Sequence, residues 1–382
     1  MDILDKLVDL AQLTGSVDVQ CLLGGQWSVR HETLQREGLV HIVTSGSGYL
    51  CIDGETSPRP VSTGDIIFFP RGLGHLLSHD GKYGESLQPD IRQNGAFTVK
   101  QCGNGLDMSL FCARFRYDTH ADLMNGLPET VFLNIAHPSL QYVVSMLQLE
   151  SEKPLAGTAS VVNALSSVLL VLILRAYLEQ DKDVELSGVL KGWQDKRLGH
   201  LIQKVIDKPE DEWNIDKMVA AANMSRAQLM RRFKSRVGLS PHAFVNHIRL
   251  QKGALLLKKT PDSVLSVALS VGFQSETHFG KAFKRQYHVS PGQYRKEGGQ
   301  KINRGFKRKC RLKRLSDGIC VPRHFKGCIF ITSIKKLVNA GLSGLTSIFF
   351  QRCCQPRKAF SIYSLDCSVL IAPRWLSTAE RR

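Results

Sequence analysis

Arginine and lysine set on one face of a short helix can hydrogen-bond base edges and neutralise phosphates, and this sequence offers that arrangement twice. The stretch WNIDKMVAAANMSRAQLMRRFKSRVGLSP reads as a helix from Ile215 to Ala222, a turn at Asn223 to Ser225, and a second helix from Arg226 to Val237 with Ser225 as its cap. On a 3.6-residue wheel Leu229 and Phe233 face a core, which turns Ala227, Arg231 and Lys234 outward toward a groove. About 50 residues later VLSVALSVGFQSETHFGKAFKRQYHVSP repeats the design. It gives a helix, a turn at Gly272-Phe273 and a helix from about Ser275 to Tyr287; Phe279 and Phe283 form the core pair, and Thr277, Lys281 and Lys284 face outward. Between the units SPHAFVNHIRLQKGALLLKKT reads as one helix of roughly 18 residues, or about 27 Å. That is near the ~34 Å repeat between successive major grooves on one face of DNA, so one chain can read two adjacent grooves. A single basic amphipathic helix is usually a solvated face. Two in the same order, each followed by an L-S-P or V-S-P step, predict binding to double-stranded DNA.

The elements that must carry these helices are written in charge and periodicity. The formal charge of +17 over 382 residues divides unevenly: −9 for residues 1 to 195, +11 for 196 to 299 and +15 for 300 to 382. An acidic half joined to a basic half suggests a regulatory domain that avoids DNA and a domain that seeks it. From Val40 to His79, HIVTSGSGYLCIDGE and VSTGDIIFFPRGLGHLL alternate apolar runs with turn residues, as an antiparallel β-barrel or sandwich does, and MSLFCARFRY reads as a late strand. Beyond His137 the spacing becomes helical. Leu140, Val143, Val144 and Leu147 share one face, and Leu165, Val168, Leu169 and Leu172 another, which suits packing on the barrel or a homodimer interface. VVNALSSVLLVLILRAYL is interrupted at Asn163 and Arg175, leaving an uninterrupted part of 11 residues, too few to span a bilayer, so no membrane partner is expected. The acidic start MDILDKLVDL lacks the basic region and cleavage site of a secretory leader, which predicts a cytosolic protein. Its ten cysteines should then rest as thiols.

The fold class expected is α+β multidomain. It comprises a cupin-like sensor domain over 1–135, a helical packing or dimerisation segment over 136–180, a linker over 181–195, an all-α double helix-turn-helix domain over 196–297, and a basic tail over 298–382.

NMSRAQLMRRFK, GLSP, Arg249-Leu250, VGFQSETHFGKAFK and SPGQYR resemble the AraC/XylS family of transcription regulators, over about 196 to 297. The resemblance implies that Arg226, Ala227, Met230 and Arg231 in the first unit, and Glu276, Thr277, Gly280 and Lys281 in the second, lie against bases or backbone. Arg231 can donate twice to a guanine edge and Glu276 can accept from cytosine N4, whereas Ala227 and Met230 offer apolar contact only. Lys234, Lys284 and Arg285 suit phosphates, which position without reading sequence. Two residues depart from the family pattern. Gly253 stands where alanine is usual in the connecting helix, at roughly 1 kcal/mol, and His288 replaces the usual glycine before the final S-P. The resemblance implies a transcription regulator, more often an activator, with RNA polymerase as a candidate partner.

The first half resembles the cupin domains of one branch of this family. A metal-binding cupin sets two histidines and a glutamate on one strand pair and a further histidine later. Only His41 and His75 fall in the expected regions, with His79 at i, i+4, so no metal and no cofactor are assigned. DVQCLLGGQW, LFCARFRY and GLPETVFLN resemble the branch that includes the reactive chlorine-specific transcriptional activator, whose redox-responsive cysteines match Cys21 and Cys112. That resemblance implies control by cysteine oxidation. Buried cysteines are also common as inert apolar residues, and an aromatic or sugar effector in the barrel is the rival reading. Cupins include dioxygenases and isomerases, but with the ligand set incomplete no catalytic residue is assigned. The tail, with KINRGFKRKCRLKRL and cysteines at 310, 320, 328, 353, 354 and 367, fits no zinc spacing and reads as an extension outside the regulator, as from a shifted or extended reading frame.

Overall fold

The computed structural model describes residues 2–34, 37–82, 88–135, 137–180 and 185–296, together with the backbone of two short strands at 312–314 and 320–322. It has the α+β architecture expected from the sequence: a cupin domain built on a curled sheet, followed by a helical domain with two helix-turn-helix units.

The chain opens with α1 (Ile3–Ala11), capped by Asp2. Nine strands follow: β1 (Thr14–Gly24), β2 (Ser28–His31), β3 (Glu37–Ile52), β4 (Arg59–Ser62), β5 (Asp65–Phe69), β6 (His75–Ser78), β7 (Asp90–Asn94), β8 (Phe97–Gly103) and β9 (Met108–Arg116). Then come α2 (Asp122–Asn125), β10 (Val131–Asn134) and two long helices, α3 (Pro138–Glu152) and α4 (Thr158–Leu178). One layer runs β10-β5-β3-β9-β1-β8-β7, antiparallel except between β1 and β8. The other pairs β2 with β6, and β6 and β4 with β3.

Strand β3 belongs to both layers. Its first half pairs with β5 and β9, its second half with β4 and β6, and the ladder slips between Val43 and Ser45. Gly46 (φ +82°) makes the corner, where a Cβ would meet the Asp107 carbonyl oxygen at 1.8 Å. The alternation of β3 then sorts two cores. Leu39, His41 and Val43 turn into the barrel with Cys21, Leu110 and Cys112, while Val40 and Ile42 turn outward under the helices. A strand covered on both faces reads as a continuous apolar run.

α4 lies against that outer face along β1, and α3 packs on α4. Leu140, Val143, Val144 and Leu147 of α3 and Leu165 and Leu169 of α4 are buried as expected. Val168 is instead 48% exposed and Leu172 only partly covered, because α4 is apolar on all sides and its sequence does not mark the covered face. The Val17 amide donates to Ser166 Oγ at 2.8 Å, tying β1 to α4. α4 is long and apolar enough to cross a bilayer, yet it packs on the cupin sheet.

The stretch read as a linker contains α5 (Gly188–Trp193), whose Val189 and Leu190 are fully buried against α2 and the first reading unit. Within it, only 181–184 lie outside the described residues. The helical domain continues with α6 (Gly199–Asp207), α7 (Ile215–Ala222), α8 (Arg226–Val237), α9 (Pro241–Lys259), α10 (Val264–Ser270) and α11 (Glu276–Tyr287), and 291–296 are again helical. In the tail, β11 (Leu312–Arg314) pairs antiparallel with β12 (Cys320–Pro322). The tail's cationic run and cysteines otherwise lie outside the described residues.

Candidate functional site

The two reading units close by the same local chemistry. Asn214 accepts from the Lys217 amide to start α7, and Asn223 ends it in the left-handed region (φ 50°). Ser225 and Gln228 form a reciprocal capping box on α8, and Gly238 (φ 81°) ends it. Ser240 caps α9, with Pro241 in its first turn; Ser263 caps α10 and Ser275 caps α11. Where the first unit has Gly238 the second has His288, held at φ 61° without the freedom of a glycine.

Leu229, Phe233, Phe279 and Phe283 are fully buried. On α8 this leaves Arg226, Ala227, Met230, Arg231 and Lys234 exposed. On α11 Glu276, Thr277, Lys281, Lys284 and Arg285 are exposed, with Gly280 partly covered. A Cβ on Gly280 would meet nothing within 4 Å, so it is an open point on that face. Met230, at 42% exposure, is an apolar side chain offered to solvent in the midst of this basic face. Lys234 also donates to the Gly238 carbonyl at 2.8 Å, closing the helix end.

Neighbouring cations serve the fold instead. Arg232 and Arg236 both reach Asp195, at 2.8 and 3.4 Å, and the amides of Arg197 and Leu198 donate to the same carboxylate, whose side chain is only 2% exposed. Burial would raise this carboxyl, but the Arg232 guanidinium and the two amides outweigh it and hold it below the ordinary range. Arg249 donates to the carbonyls of Pro209 and Asp211, a structural role for one residue of the family signature.

Through the segment that continues β9, the cupin domain touches the second reading unit and the helix that joins the two units. Asp118 accepts from Tyr294 Oη at 2.5 Å, and His120 packs on the Tyr287 ring at 4.5 Å. Asp122 pairs with His247 of α9 at 3.0 Å, and Gln251 donates to the His120 carbonyl and to Asp122. Burial alone would lower His247; Asp122, then Gln286 and Asp118, outweigh it and raise its pKa. No spacing in the sequence marks Asp118, Asp122 or Asp195, since each finds its partner through tertiary contact.

Inside the barrel, Cys21 and Cys112 come together. Cys112 lies opposite Val19 on β1, so Cys21 is its diagonal neighbour on the same face, and the sulfurs are 3.7 Å apart and buried. Cys21 is lowered, chiefly by the hydrogen bond from Cys112, with burial opposing and Lys100 across the β8 ladder adding to the effect. Cys112 is raised because its S–H is committed to Cys21 and it is fully buried. Within the pair the first proton therefore leaves from Cys21 in preference to Cys112. Cys51 and Cys102 are raised by burial.

His41, opposite Cys112 across the β3/β9 ladder, brings Nδ1 to 3.1 Å from that sulfur. Its Nε2 meets His75 Nε2 at 2.8 Å. Both histidines are fully buried core residues. A third, His31, joins them because β2 pairs it directly with His75, and it went unread in the sequence because that register is a tertiary fact. Burial lowers all three, His31 to about 3, His75 to about 4 and His41 well below its ordinary value. His79 stands apart, bonded to the Trp27 carbonyl.

Comparison with known proteins covers both domains. Residues 2–179 match a family model described as cupin, and 218–297 match one described as a helix-turn-helix domain. The chain is 96% identical over 301 residues to the HTH-type transcriptional regulator MtrA of Neisseria gonorrhoeae, covering 79% of this chain and 100% of that one, so the remainder of this chain has no counterpart there. It is 36% identical over 298 residues to an uncharacterized HTH-type transcriptional regulator of Haemophilus influenzae, covering 78% and 99%. It is 27% identical over 303 residues to the RCS-specific HTH-type transcriptional activator RclR of Escherichia coli, covering 77% and 97%.

Proposed function

Because this chain belongs to the AraC family of helix-turn-helix transcription regulators, in the branch with an N-terminal cupin domain, we propose that it is an activator whose hold on DNA is set by oxidation of Cys21 and Cys112. The observation that carries this reading is the buried 3.7 Å sulfur contact between residues 91 apart in sequence. The relative named as an RCS-specific activator supports the choice of oxidant. With hypochlorous acid the Cys21 thiolate takes the chlorine and releases hydroxide. The Cys112 sulfur then displaces chloride and gives up its proton. In sum, two thiols and one hypochlorous acid give a disulfide, water and hydrogen chloride.

Bond formation requires the sulfurs to close from 3.7 Å to about 2.05 Å. Diagonal neighbours stand about 7–8 Å apart at Cα, beyond the usual span of a disulfide, so β1 and β9 must shift. β1 already carries an irregularity between Ser16 and Val19, where the strand can give. β9 leads, six residues after Cys112, to Asp118 and then Asp122, which hold Tyr294 and His247. The strain thus arrives where the cupin domain holds the second reading unit and the helix between the units. Base reading is assigned to Arg226, Ala227, Met230, Arg231, Glu276, Thr277, Gly280 and Lys281, and phosphate contact to Lys234, Lys284 and Arg285. A homodimer is supported by the exposed Tyr142, Met146 and Leu149 on α3 beside Val168 on α4, and activation implies contact with RNA polymerase.

Operator binding by the purified chain, reduced and then treated with hypochlorous acid, tests the reading, together with non-reducing peptide mapping. The expected result is a change of affinity accompanied by a bond between Cys21 and Cys112. Cys51→Ser and Cys102→Ser should keep the response. A Cys21→Ser/Cys112→Ser protein that responds like wild type would falsify it.

A further inference from the structure

One ring nitrogen from each of His31, His41 and His75 lies within 4.8 Å of the other two inside the barrel. His75 Nδ1 is 2.8 Å from the Leu73 carbonyl. A carbonyl can only accept, so the proton sits on Nδ1 and Nε2 presents a lone pair. That lone pair faces His41 Nε2 at 2.8 Å. Two imidazole nitrogens at this distance need a proton or a cation between them. His31 adds a third ring, stacked on His75 at 4.8 Å between centroids, and its buried Nε2 has no hydrogen-bond partner. Leaving a buried nitrogen unsatisfied is unfavourable, and a bound ion would relieve it.

We propose that His31, His41 and His75 bind one divalent late transition-metal ion through three imidazole nitrogens, with the fourth position open to water. The donor set decides the class. No carboxylate belongs to the cluster, which disfavours magnesium, calcium and manganese, while three imidazoles suit zinc and its neighbours. Zinc binds imidazole nitrogen at about 2.0–2.1 Å, so tetrahedral ligands stand about 3.3 Å apart. The present contacts bracket that value: the 2.8 Å pair must open slightly and the widest separation must close from 4.8 Å. Outer contacts are already in place. The Leu73 carbonyl fixes the His75 tautomer, and an ion on His41 Nε2 obliges His41 to carry its proton on Nδ1, where it donates to Cys112 Sγ. The metal would replace the proton between His41 and His75. This assignment does not rest on the oxidation of the thiols. The three-strand geometry also explains why the sequence lacks the paired-histidine motif: β2, β3 and β6 each supply one ligand.

The test uses the full chain, stripped with chelator, kept reduced with a non-thiol reductant and dialysed against zinc chloride. Wild type is expected to hold one zinc more than His31→Ala and His75→Ala, each checked for fold by circular dichroism, and to show a higher Tm with zinc than without. Because zinc at tail cysteines would survive these substitutions, equal zinc content in all three proteins overturns the proposal. If the variants fail to fold, cobalt(II) bound to wild type decides. Tetrahedral d–d bands without sulfur charge transfer support the site, and their absence, or bands of sulfur-ligated cobalt alone, overturns it. Repeating the measurement with Cys21→Ser separates the two readings, since this site should load without the thiol pair.

Discussion

Replacing Gly253 by alanine sets two effects of comparable size against each other. Gly253 lies within α9, the 19-residue helix that joins the reading units, and helix propensity alone assigns alanine a gain of about 1 kcal/mol there. A Cβ at this position would lie 2.9 and 3.0 Å from Cε2 and Cζ of Phe279. Carbon atoms sit comfortably at about 3.5–4.0 Å, so the ring would have to move by roughly 0.6 Å or more. Phe279 is fully buried, with Phe273 at 5.2 Å and Phe283 at 5.4 Å between centroids, and has nowhere to go. Overpacking of this kind costs about 1–3 kcal/mol. The net expectation is a loss of up to about 2 kcal/mol. It should be accompanied by weaker operator binding, because Phe279 fixes α11. Urea unfolding followed by circular dichroism measures the first and gel-shift titration the second. A cycle with Phe279→Leu should return coupling of about 1 kcal/mol, since the smaller side chain makes room for the methyl. A Gly253→Ala protein that is more stable by about 1 kcal/mol, with unchanged operator affinity, would refute the argument.

His288→Gly should stabilise the chain by about 1 kcal/mol, because φ 61° costs a residue with a Cβ that much, and a rise in Tm checks it. Arg231→Ala should cost about 1–3 kcal/mol of operator affinity and relax preference at one base pair, whereas Lys284→Ala should weaken all sequences alike and reduce the salt slope by about one; both are read by titration across salt. His247 is raised in the folded chain, so its protonated bond to Asp122 stabilises fully below its unfolded pKa of about 6.5 and is lost as pH climbs through the folded value. The Tm advantage of wild type over His247→Gln should therefore be greatest below about pH 6.5 and shrink as pH rises above it, and a constant or widening gap refutes the sign. Truncation after Gln300 should leave specific DNA binding intact, by gel shift against operator and scrambled DNA.

The helical domain was legible almost to the residue because its signals are local. Ser225, Ser275 and Gly238 sit at helix ends, and the pairs Leu229/Phe233 and Phe279/Phe283 mark the core face within a single turn. Reading failed where the information is tertiary. α5 was lost because Val189 and Leu190 are two apolar residues in a polar stretch, and only their burial against α2 and α8 makes them a helix that packs. Val168 faces outward because an all-apolar helix does not mark its covered side. Propensity alone makes Gly253 a defect, whereas the Phe279 ring packed against it leaves no room for a side chain. The histidine cluster needed the β2/β6 register to bring His31 to His75.

The two reading units are fastened differently to the rest of the chain. The first is tied by Arg232 and Arg236 to the enclosed carboxylate of Asp195, together with the apolar contact of α5 on α8. The second is tied by Tyr294 to Asp118 at the end of β9, and the helix between the units is held there through His247 and Gln251. The segment that follows β9 meets both fastenings, Tyr294 directly and the first unit through the packing of α2 on α5. If β9 carries the response, both halves of the DNA-binding domain should respond together, and a nuclease footprint should fade along its whole length instead of shortening at one end.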